Sequence, residues 1–480
     1  MHITISRRLA TATLLIAATV VACEASAQDV DGGTPQDAAG DTEESAAPAS
    51  VAAPSADTTQ PAAAAAEDEA MRTMREVARF AKFDELRPQG QTSDLPGVYD
   101  NITADTGGYR TWLYERGLYW RGASVNAVIY DVAGGGGPNR PQRYSGQNFT
   151  ALQSNDFRLS WKIGGSAEDI TQINLGLFTT VTNWRQTGPT IARISNLNFY
   201  TSFLDRTIEL KAGVNGNISD YIGIFAGGNP ILASGLGSTV PLSTGMSGGS
   251  GQTPTASIQF NGRKGFYARS GIQRSMVPGG MIEEAAGAGL GLKLNRDGAR
   301  AMFIQEFGVR RASSPEGPQI WLRAGGTYNL TRYNRLDGQG RDRNWMVYAL
   351  ADYQFYQPDK RASYRGVYAG FSALFAPDAI NAYKSTLEAR VYALGMIPGR
   401  PSDQVTMTVG LNGFSRSGGR ALAATGVETN RNQFSVGALY AYHAARGVYV
   451  SPSITYIRNP SFVGDFKPAL NLSTSLTLMF

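Results

Sequence analysis

From about residue 107 to the C-terminus, the sequence repeats one local pattern in which apolar and polar side chains alternate. A period of two puts successive side chains on opposite faces of an extended strand. Glycine-rich turns separate the segments, and the chain holds 56 glycines. We count sixteen or seventeen such segments, which predicts an all-β fold. The clearest are Gln172–Trp184, Thr207–Val214, Gly265–Gln273, Ala301–Arg311, Gln319–Tyr328, Trp345–Tyr356, Leu387–Leu394, Val405–Phe414 and Phe434–His443.

The contents of the two strand faces favour a membrane barrel over a soluble sandwich. A sandwich core is built from large apolar side chains on facing sheets. Here the apolar faces carry many small residues, and the opposite faces hold charges in mid-strand, such as Glu388 and Arg390. That pattern is typical of strands between lipid and a water-filled lumen, and lipid requires the sheet to close on itself. We therefore predict a transmembrane antiparallel up-and-down β-barrel of about 16 strands over residues 107–480.

The C-terminal segment NLSTSLTLMF shows the same alternation. We interpret it as the strand that closes the barrel by pairing with the first, with Phe480 at the membrane interface. Its expected lipid-facing residues are Leu472, Thr474, Leu476, Leu478 and Phe480, and its expected lumen-facing residues are Ser473, Ser475 and Thr477. Aromatic residues near strand ends are expected in the interfacial girdles: Trp112, Tyr119, Trp120, Trp184, Trp345, Tyr356, Tyr449 and Tyr456.

The N-terminal part of the chain has three predicted sections before the barrel. Residues 1–27 form an export signal with a basic start, a short apolar stretch and an A-x-A cleavage site. A lipoprotein signal ending at Cys23 is the alternative, in which Cys23 is acylated instead of removed. Residues 28–70, rich in Ala and Pro, carry ten acidic and no basic residues and are predicted to be a disordered leader. Residues 71–106 are predicted to be a periplasmic helix and linker, which we interpret as a solvated spacer.

Removing the signal and the leader leaves 42 basic and 28 acidic residues, a net charge of +14. Such a surplus is compatible with nucleic acid, anionic lipid headgroups or an anion-selective path. Export makes nucleic acid improbable, so we expect no nucleic-acid partner.

The longest gap between strand patterns is Asn215–Pro254, rich in Gly, Ser and Thr with apolar islands that include Ile222 and Phe225. Loops of this length inside a compact domain are usually functional or disordered. The apolar islands favour a loop that folds into the lumen and narrows it. Counting strands back from Phe480 places this loop on the side of the short turns, which conflicts with its length.

The residue inventory argues against catalysis. After the signal the chain holds one histidine, His443, and no cysteine, which excludes Cys/His catalysis and multi-histidine metal sites. We expect no enzyme activity, metal or cofactor. A selective path through a polar lumen instead needs aromatic surfaces and charged hydrogen-bonding groups. The inward candidates by alternation are Arg158, Lys162, Glu306, Arg310, Trp321, Arg323, Tyr348, Asp352, Glu388, Arg390 and Tyr392.

Four stretches resemble the OprB-type carbohydrate-selective porins. WLYERGLYWRGASVNAVIYDVAGGGG (Trp112–Gly137) is similar to the family's first strand, and FLDRTIELKAG (Phe203–Gly213) to a short turn and the following strand. IPGRPSDQV (Ile397–Val405) resembles a turn, and SPSITYIRNP (Ser451–Pro460) the penultimate strand. The resemblance implies a sixteen-stranded channel of the bacterial outer membrane that passes monosaccharides or short oligosaccharides by diffusion.

Three functions remain open from the sequence. The first is a sugar-selective porin, and the second is a general or anion-preferring porin. The third is a barrel for surface-polysaccharide export, with the acidic leader as a periplasmic docking segment. The expected partners are sugars as solutes, outer-membrane lipid and, through Phe480, the outer-membrane assembly machinery, with a homo-oligomer as a further possibility.

Overall fold

The computed structural model describes residues 71–480 except 73–74, 93–95, 135–139, 167, 185–189, 224–238, 249–250 and 288. The predicted signal peptide and leader lie outside the described residues. The described chain contains sixteen strands. They are β1 Leu118–Asp131, β2 Thr150–Gly165, β3 Ile170–Thr182, β4 Ile191–Phe203, β5 Ile208–Asn215, β6 Thr253–Asn261, β7 Phe266–Arg274, β8 Ala301–Arg311, β9 Ile320–Asn334, β10 Arg341–Tyr356, β11 Gly366–Phe375, β12 Tyr383–Leu394, β13 Gln404–Phe414, β14 Asn432–Ala445, β15 Val448–Arg458 and β16 Ala469–Met479.

Every strand pairs antiparallel with its sequence neighbours, and β1 pairs with β16, so the sheet is a closed barrel. The register of this seam runs from Ala123 opposite Met479 to Asp131 opposite Asn471. Beyond the strand, Phe480 N donates to Gly122 O at 2.8 Å and Gly122 N donates to Phe480 O at 3.0 Å. The predicted all-β barrel fold and the predicted pairing of the last strand with the first are confirmed.

The two ends of the barrel differ in the length of their connections. At one end, here called the turn end, connections run from two residues (446–447) to nine (357–365). At the other, the loop end, the longest connections are 216–252 and 275–300. The β5–β6 loop, residues 216–252, therefore lies at the loop end, and the strand count that placed it among the short turns was wrong.

The outward face carries the apolar half of the alternation. On β16, Leu472 is 45% and Leu476 39% exposed, whereas Thr477 is 3% exposed. The predicted orientation of this strand is confirmed. Among the expected girdle aromatics, Trp345, Tyr356 and Tyr456 are exposed. Tyr119 and Tyr449 were wrongly assigned, because they occupy inward positions of β1 and β15 and are buried.

Helices are short. They comprise α1 (75–84), α2 Tyr109–Tyr114, α3 Thr239–Ser243, α4 Gly280–Gly287 and α5 Arg416–Ala423. Ser415 caps α5 by accepting a hydrogen bond from Gly418 N at 2.9 Å. Within the described residues, no helix is both long and apolar enough to cross a membrane.

Residues 80–92 and 96–104, here called the strap, pack against the barrel wall at the turn end. Phe80, Phe83, Leu86, Val98 and Ala104 form a buried cluster with Tyr119 of β1. The predicted helix is present as α1, but the interpretation of this segment as a solvated spacer is wrong for the strap. Its apolar side chains are too few to build a core alone, so they are buried against the wall instead.

Candidate functional site

One side of the lumen is filled by the β5–β6 loop. Ile218, Tyr221 and Ile222 of this loop are buried, together with Val240 and Met246. They pack against inward side chains of β8 to β11, namely Met302, Ile304, Met346, Tyr348, Leu350 and Leu374. The prediction that this loop enters the lumen is confirmed for its described part. The apolar islands Ile224, Phe225, Ile231 and Leu232 lie outside the described residues.

Buried cations hold the inserted loop to the wall. Arg323 of β9 donates to the backbone carbonyls of Tyr221 at 2.9 Å and Ile222 at 2.7 Å. Lys211 of β5 donates to the Asp220 carboxylate at 2.8 Å, and Arg269 of β7 donates to the Asp220 carbonyl. Charge-assisted hydrogen bonds are stronger than neutral ones. The loop is therefore fixed by polar contacts as well as by its apolar side chains.

Glu306 of β8 is the centre of a second inward network. Its carboxylate accepts hydrogen bonds from Tyr267 at 2.9 Å and Tyr348 at 2.8 Å. Tyr348 stands two strands away, on β10, and reaches Glu306 because Gly325 lies between them. Trp321 extends the network, with Arg323 3.6 Å and Arg310 4.5 Å from its ring centroid. Glu306, with 0% exposure, is thus satisfied by neighbouring side chains.

A third network lies on β10 to β12. Arg390 donates to Asp352 at 2.8 Å and 3.1 Å, to Glu388 at 3.2 Å and to Ser372 at 2.8 Å. Two carboxylates and one hydroxyl thus surround a single guanidinium, which compensates the burial of these charges. Tyr392 stacks on Tyr368 with ring centroids 4.8 Å apart and an interplanar angle of 4°.

Small hydroxyl side chains line the neighbouring wall, on β13 to β16. We call this surface the hydroxyl wall and define it by Thr408, Ser435, Ser453, Thr455, Ser473 and Ser475. All six occupy inward positions and are partly exposed. The wall begins beside the Arg390 network, because Thr408 is the direct cross-strand partner of Arg390. Gly437 separates Thr408 from Thr455 and leaves both hydroxyls uncovered. The hydroxyls on this side of the lumen can donate and accept hydrogen bonds as water does, and their side chains are too small to obstruct the lumen.

The strap bridges several parts of the turn end. On one side, Gln172 of β3 donates to the carbonyls of Leu86 and Arg87, both at 3.1 Å. At the strap's other end, Asp100 accepts from Gly447 N at 2.7 Å and lies 2.8 Å from His443 Nε2. These contacts join β3 to the β14–β15 turn.

These contacts change the pKa of the Asp100 carboxyl. Burial raises its pKa, but hydrogen bonds from His443, Tyr449 and Gly447 outweigh that effect and leave the pKa below 3.8. Asp100 is therefore held as a carboxylate at neutral pH.

The pairing register places all eleven predicted pore-lining residues on inward positions, but in different surroundings. Glu306, Trp321, Arg323, Tyr348 and Asp352 are buried in the networks that support the wall and the loop. Glu388 at 8%, Arg390 at 6% and Tyr392 at 4% exposure border the hydroxyl wall. Arg158, Lys162 and Arg310 lie towards the turn end and are partly exposed. Roles of these residues in sugar binding remain a prediction.

Several inward polar residues were missed by sequence reasoning. Lys211 and Arg269 follow the alternation of segments that had been recognised, so parity alone would have found them. The hydroxyl wall follows the same parity but lacks the charged and aromatic types that were sought. Gly325 and Gly370 carried a further signal, since each lies inward between two contacting side chains of the flanking strands.

A family model described as "Carbohydrate-selective porin, OprB family" matches residues 119–480. The chain belongs to the OprB family. This match covers β1 to β16 almost entirely, and carbohydrate-selective porins are channels rather than enzymes. The protein is thus a carbohydrate porin of the bacterial outer membrane. No curated protein sequence matches the chain.

One solved structure supports the OprB assignment at the level of the fold, and two others are similar over most of the chain at lower TM-scores. The high-pH structure of Pseudomonas putida OprB has a TM-score of 0.65 and 15% sequence identity, covering 79% of this chain and 98% of that one. The low-pH structure of the same protein has a TM-score of 0.49 at 13% identity, with the same coverage. A mutant porin of Rh. blastica has a TM-score of 0.38 at 12% identity, covering 76% of this chain and 100% of that one.

Proposed function

We propose that mono- or short oligosaccharides cross this porin along the hydroxyl wall and past the Arg390 network. The observation that carries the proposal is the row of partly exposed Ser and Thr side chains on β13 to β16. A hydroxyl can donate and accept hydrogen bonds, as each sugar hydroxyl can. Hydrogen bonds to water that a sugar loses on entering the lumen can thus be replaced by hydrogen bonds to hydroxyls of the wall.

Charged side chains at the edge of this path supply the stronger contacts. Glu388 borders the wall, and its carboxylate can accept a hydrogen bond from a sugar hydroxyl in addition to the one it accepts from Arg390 at 3.2 Å. Arg390, whose N–H groups bond Asp352, Ser372 and Glu388, holds this carboxylate in place. We assign a supporting role to the buried side chains whose polar groups and rings are engaged in the networks described above, namely Tyr392, Trp321, Tyr348, Glu306, Arg323 and Asp352. Arg158, Lys162 and Arg310 are assigned to the turn-end part of the path.

Liposome swelling tests the sugar path. Proteoliposomes containing the purified protein are expected to swell faster in monosaccharides than in polyols or other neutral solutes of equal size. Current block by the same sugars in planar bilayers is the independent measure. Equal swelling rates at matched solute size, together with no current block, would remove sugar selectivity from the proposal.

The finer localisation is part of the same proposal. Short connections of outer-membrane barrels face the periplasm, so we assign the turn end, the strap and the leader 28–70 to that side. Protease digestion of the leader is expected only after the outer membrane has been permeabilised. Digestion in intact cells would reverse the orientation.

We also propose that a second copy of the chain covers part of the outer wall. Asn126, Gln153 and Asn155 lie on outward positions of β1 and β2, where polar groups facing lipid cost free energy. Ser124, on the same face, is buried and accepts a hydrogen bond from Asn126 at 3.3 Å. Asn155 donates to Thr179 at 2.9 Å, but the patch has spare donors and acceptors that an identical patch could satisfy. We expect chemical crosslinking to give oligomers of the wild-type protein but not of Asn126→Leu. A monomer in both cases would count against a second copy at this surface.

A further inference from the structure

Arg121 of β1 is a buried arginine for which the described residues supply no partner. It is 8% exposed, and its Nε has no hydrogen-bond partner. No hydrogen bond or ion pair within the described part of the chain involves its terminal nitrogens either. Arginine stays charged in proteins, and a buried cation without a partner costs free energy. The Arg121 guanidinium therefore needs a negatively charged partner, and the described residues do not provide one.

Its neighbours increase the positive charge. Arg158 of β2 is the direct cross-strand partner of Arg121, and like charges in that arrangement repel each other. Asp156 is engaged by Arg158, whose Nε donates to both carboxylate oxygens at 2.9 Å and 3.1 Å. Gln91 of the strap accepts from Arg158 Nη1 at 2.5 Å, so the strap orients this guanidinium beside Arg121.

The other nearby carboxylate is engaged as well. Asp84 lies 3.1 Å from Arg87 Nε and also bonds Val98 N through both oxygens. Burial raises the pKa of Asp84, while the charges of Arg87, Arg110 and Arg121 lower it. Four arginines, Arg87, Arg110, Arg121 and Arg158, thus face the two carboxylates of Asp84 and Asp156, which leaves two positive charges in excess.

We propose that Arg121, together with Arg158, forms an oxyanion site in the turn-end half of the lumen that binds the carboxylate or phosphate group of an anionic sugar. A guanidinium presents two parallel N–H groups that match both anions. The proposal rests on the proposed sugar path, because a site inside that path meets only solutes that enter it. It extends the range of solutes from neutral sugars to sugar acids or sugar phosphates.

Current block in planar bilayers tests the site with the full-length protein. The probes are glucose, glucuronate and glucose 6-phosphate. In wild type, glucuronate is expected to block with an affinity about tenfold higher than glucose, as one charge-assisted hydrogen-bonded pair would give. Arg121→Gln is expected to abolish that preference and leave block by glucose unchanged. Arg263→Gln removes one charge from the exposed β6–β7 turn at the same end and is expected to change neither.

Comparison of the probes separates the possible sources of the anion. A preference for glucose 6-phosphate over glucuronate assigns a phosphate, and the reverse assigns a carboxylate. If glucose blocks wild type and neither anion blocks better, the anion site is wrong while the proposed function stands. If none of the three blocks, the proposed function fails and this inference fails with it.

Arg121→Lys covers the case in which the glutamine variant does not reach the membrane. Lysine keeps the charge but loses the planar fork. Weakened preference for the anions in this variant supports the site. A wild-type preference in Arg121→Lys counts against bidentate recognition by Arg121, and normal folding with undiminished preference in Arg121→Gln overturns the site.

Discussion

Asp352 of β10 and Arg390 of β12 are joined by hydrogen bonds of 2.8 Å and 3.1 Å although β11 runs between their strands. Gly370 of β11 lies opposite both residues, and a Cβ there would stand less than 3.0 Å from each of their side chains. The pair therefore depends on the absence of one methyl group.

Gly370→Ala is expected to separate Asp352 from Arg390 and to destabilise the barrel by about 1–3 kcal/mol, the usual cost of overpacking. The thermal unfolding of the purified protein measures the loss, and the single-channel conductance reports the change in the path. Gly164→Ala on β2 is the matched control, because its Cβ would have its nearest neighbour at 3.8 Å. Equal effects of the two variants would contradict the role of Gly370.

Arg323→Ala is expected to release the inserted loop in part. The carbonyls of Tyr221 and Ile222 lose their donor, at a cost of roughly 1–3 kcal/mol for each buried group left unpaired. The expected result is a larger and noisier single-channel conductance. Arg332→Ala, on an exposed position of the same strand, should leave the conductance unchanged. A conductance equal to that of the wild type in both variants would show that apolar packing alone fixes the loop.

The strap is expected to detach in acid. The pKa of Asp100 is lowered in the folded state, so its contribution to stability is complete above the unfolded value of 3.8. It is lost as the pH falls through the lower folded value. Protection of backbone amides 97–105 from hydrogen exchange should therefore fall below about pH 4. Asp100→Asn should show reduced protection already at pH 7, and undiminished protection of wild type at pH 2 would contradict this assignment.

Thr408→Val with Thr455→Val removes two hydroxyls at nearly constant volume. Sugar flux in liposome swelling is expected to fall severalfold, because permeating sugars lose hydrogen bonds worth about 0.5–1.5 kcal/mol each. Thr474→Val on the outward face of β16 is the control and should have no effect on flux. A decrease of similar size in the control would place the effect in folding rather than in the path.

Deletion of Phe480 is expected to impair assembly more than sugar transport. Phe480 makes the last two hydrogen bonds of the β1–β16 seam with Gly122. The amount of barrel in the outer membrane should fall, while the protein that is inserted keeps its sugar preference. Normal outer-membrane levels would mean that the assembly machinery does not need this residue.

Most of the fold could be predicted from the alternation of apolar and polar side chains, because lipid outside and water inside impose a period of two on every strand. The orientation of β16 and the inward position of Glu388, Arg390 and Tyr392 followed directly from it. Alternation does not report which inward residues meet each other. Glu306 and Asp352 form hydrogen bonds with side chains of neighbouring strands instead of facing open water. These contacts depend on Gly325 and Gly370 and on a loop from elsewhere in the chain. The strap was missed for the same reason, since its few apolar residues become informative only once the wall that buries them is known.

The hydroxyl wall also has a consequence for the speed of transit. A Ser or Thr hydroxyl exchanges one partner for another by turning about its C–O bond, whereas a long charged side chain must rearrange several torsions at an entropic cost. On the proposed sugar path, a solute would therefore pass from Thr408 to Thr455 and on to Ser473 while the heavy atoms of the protein stay in place. Conduction along the proposed path would then use many weak sites and require no rearrangement of the backbone or of long side chains.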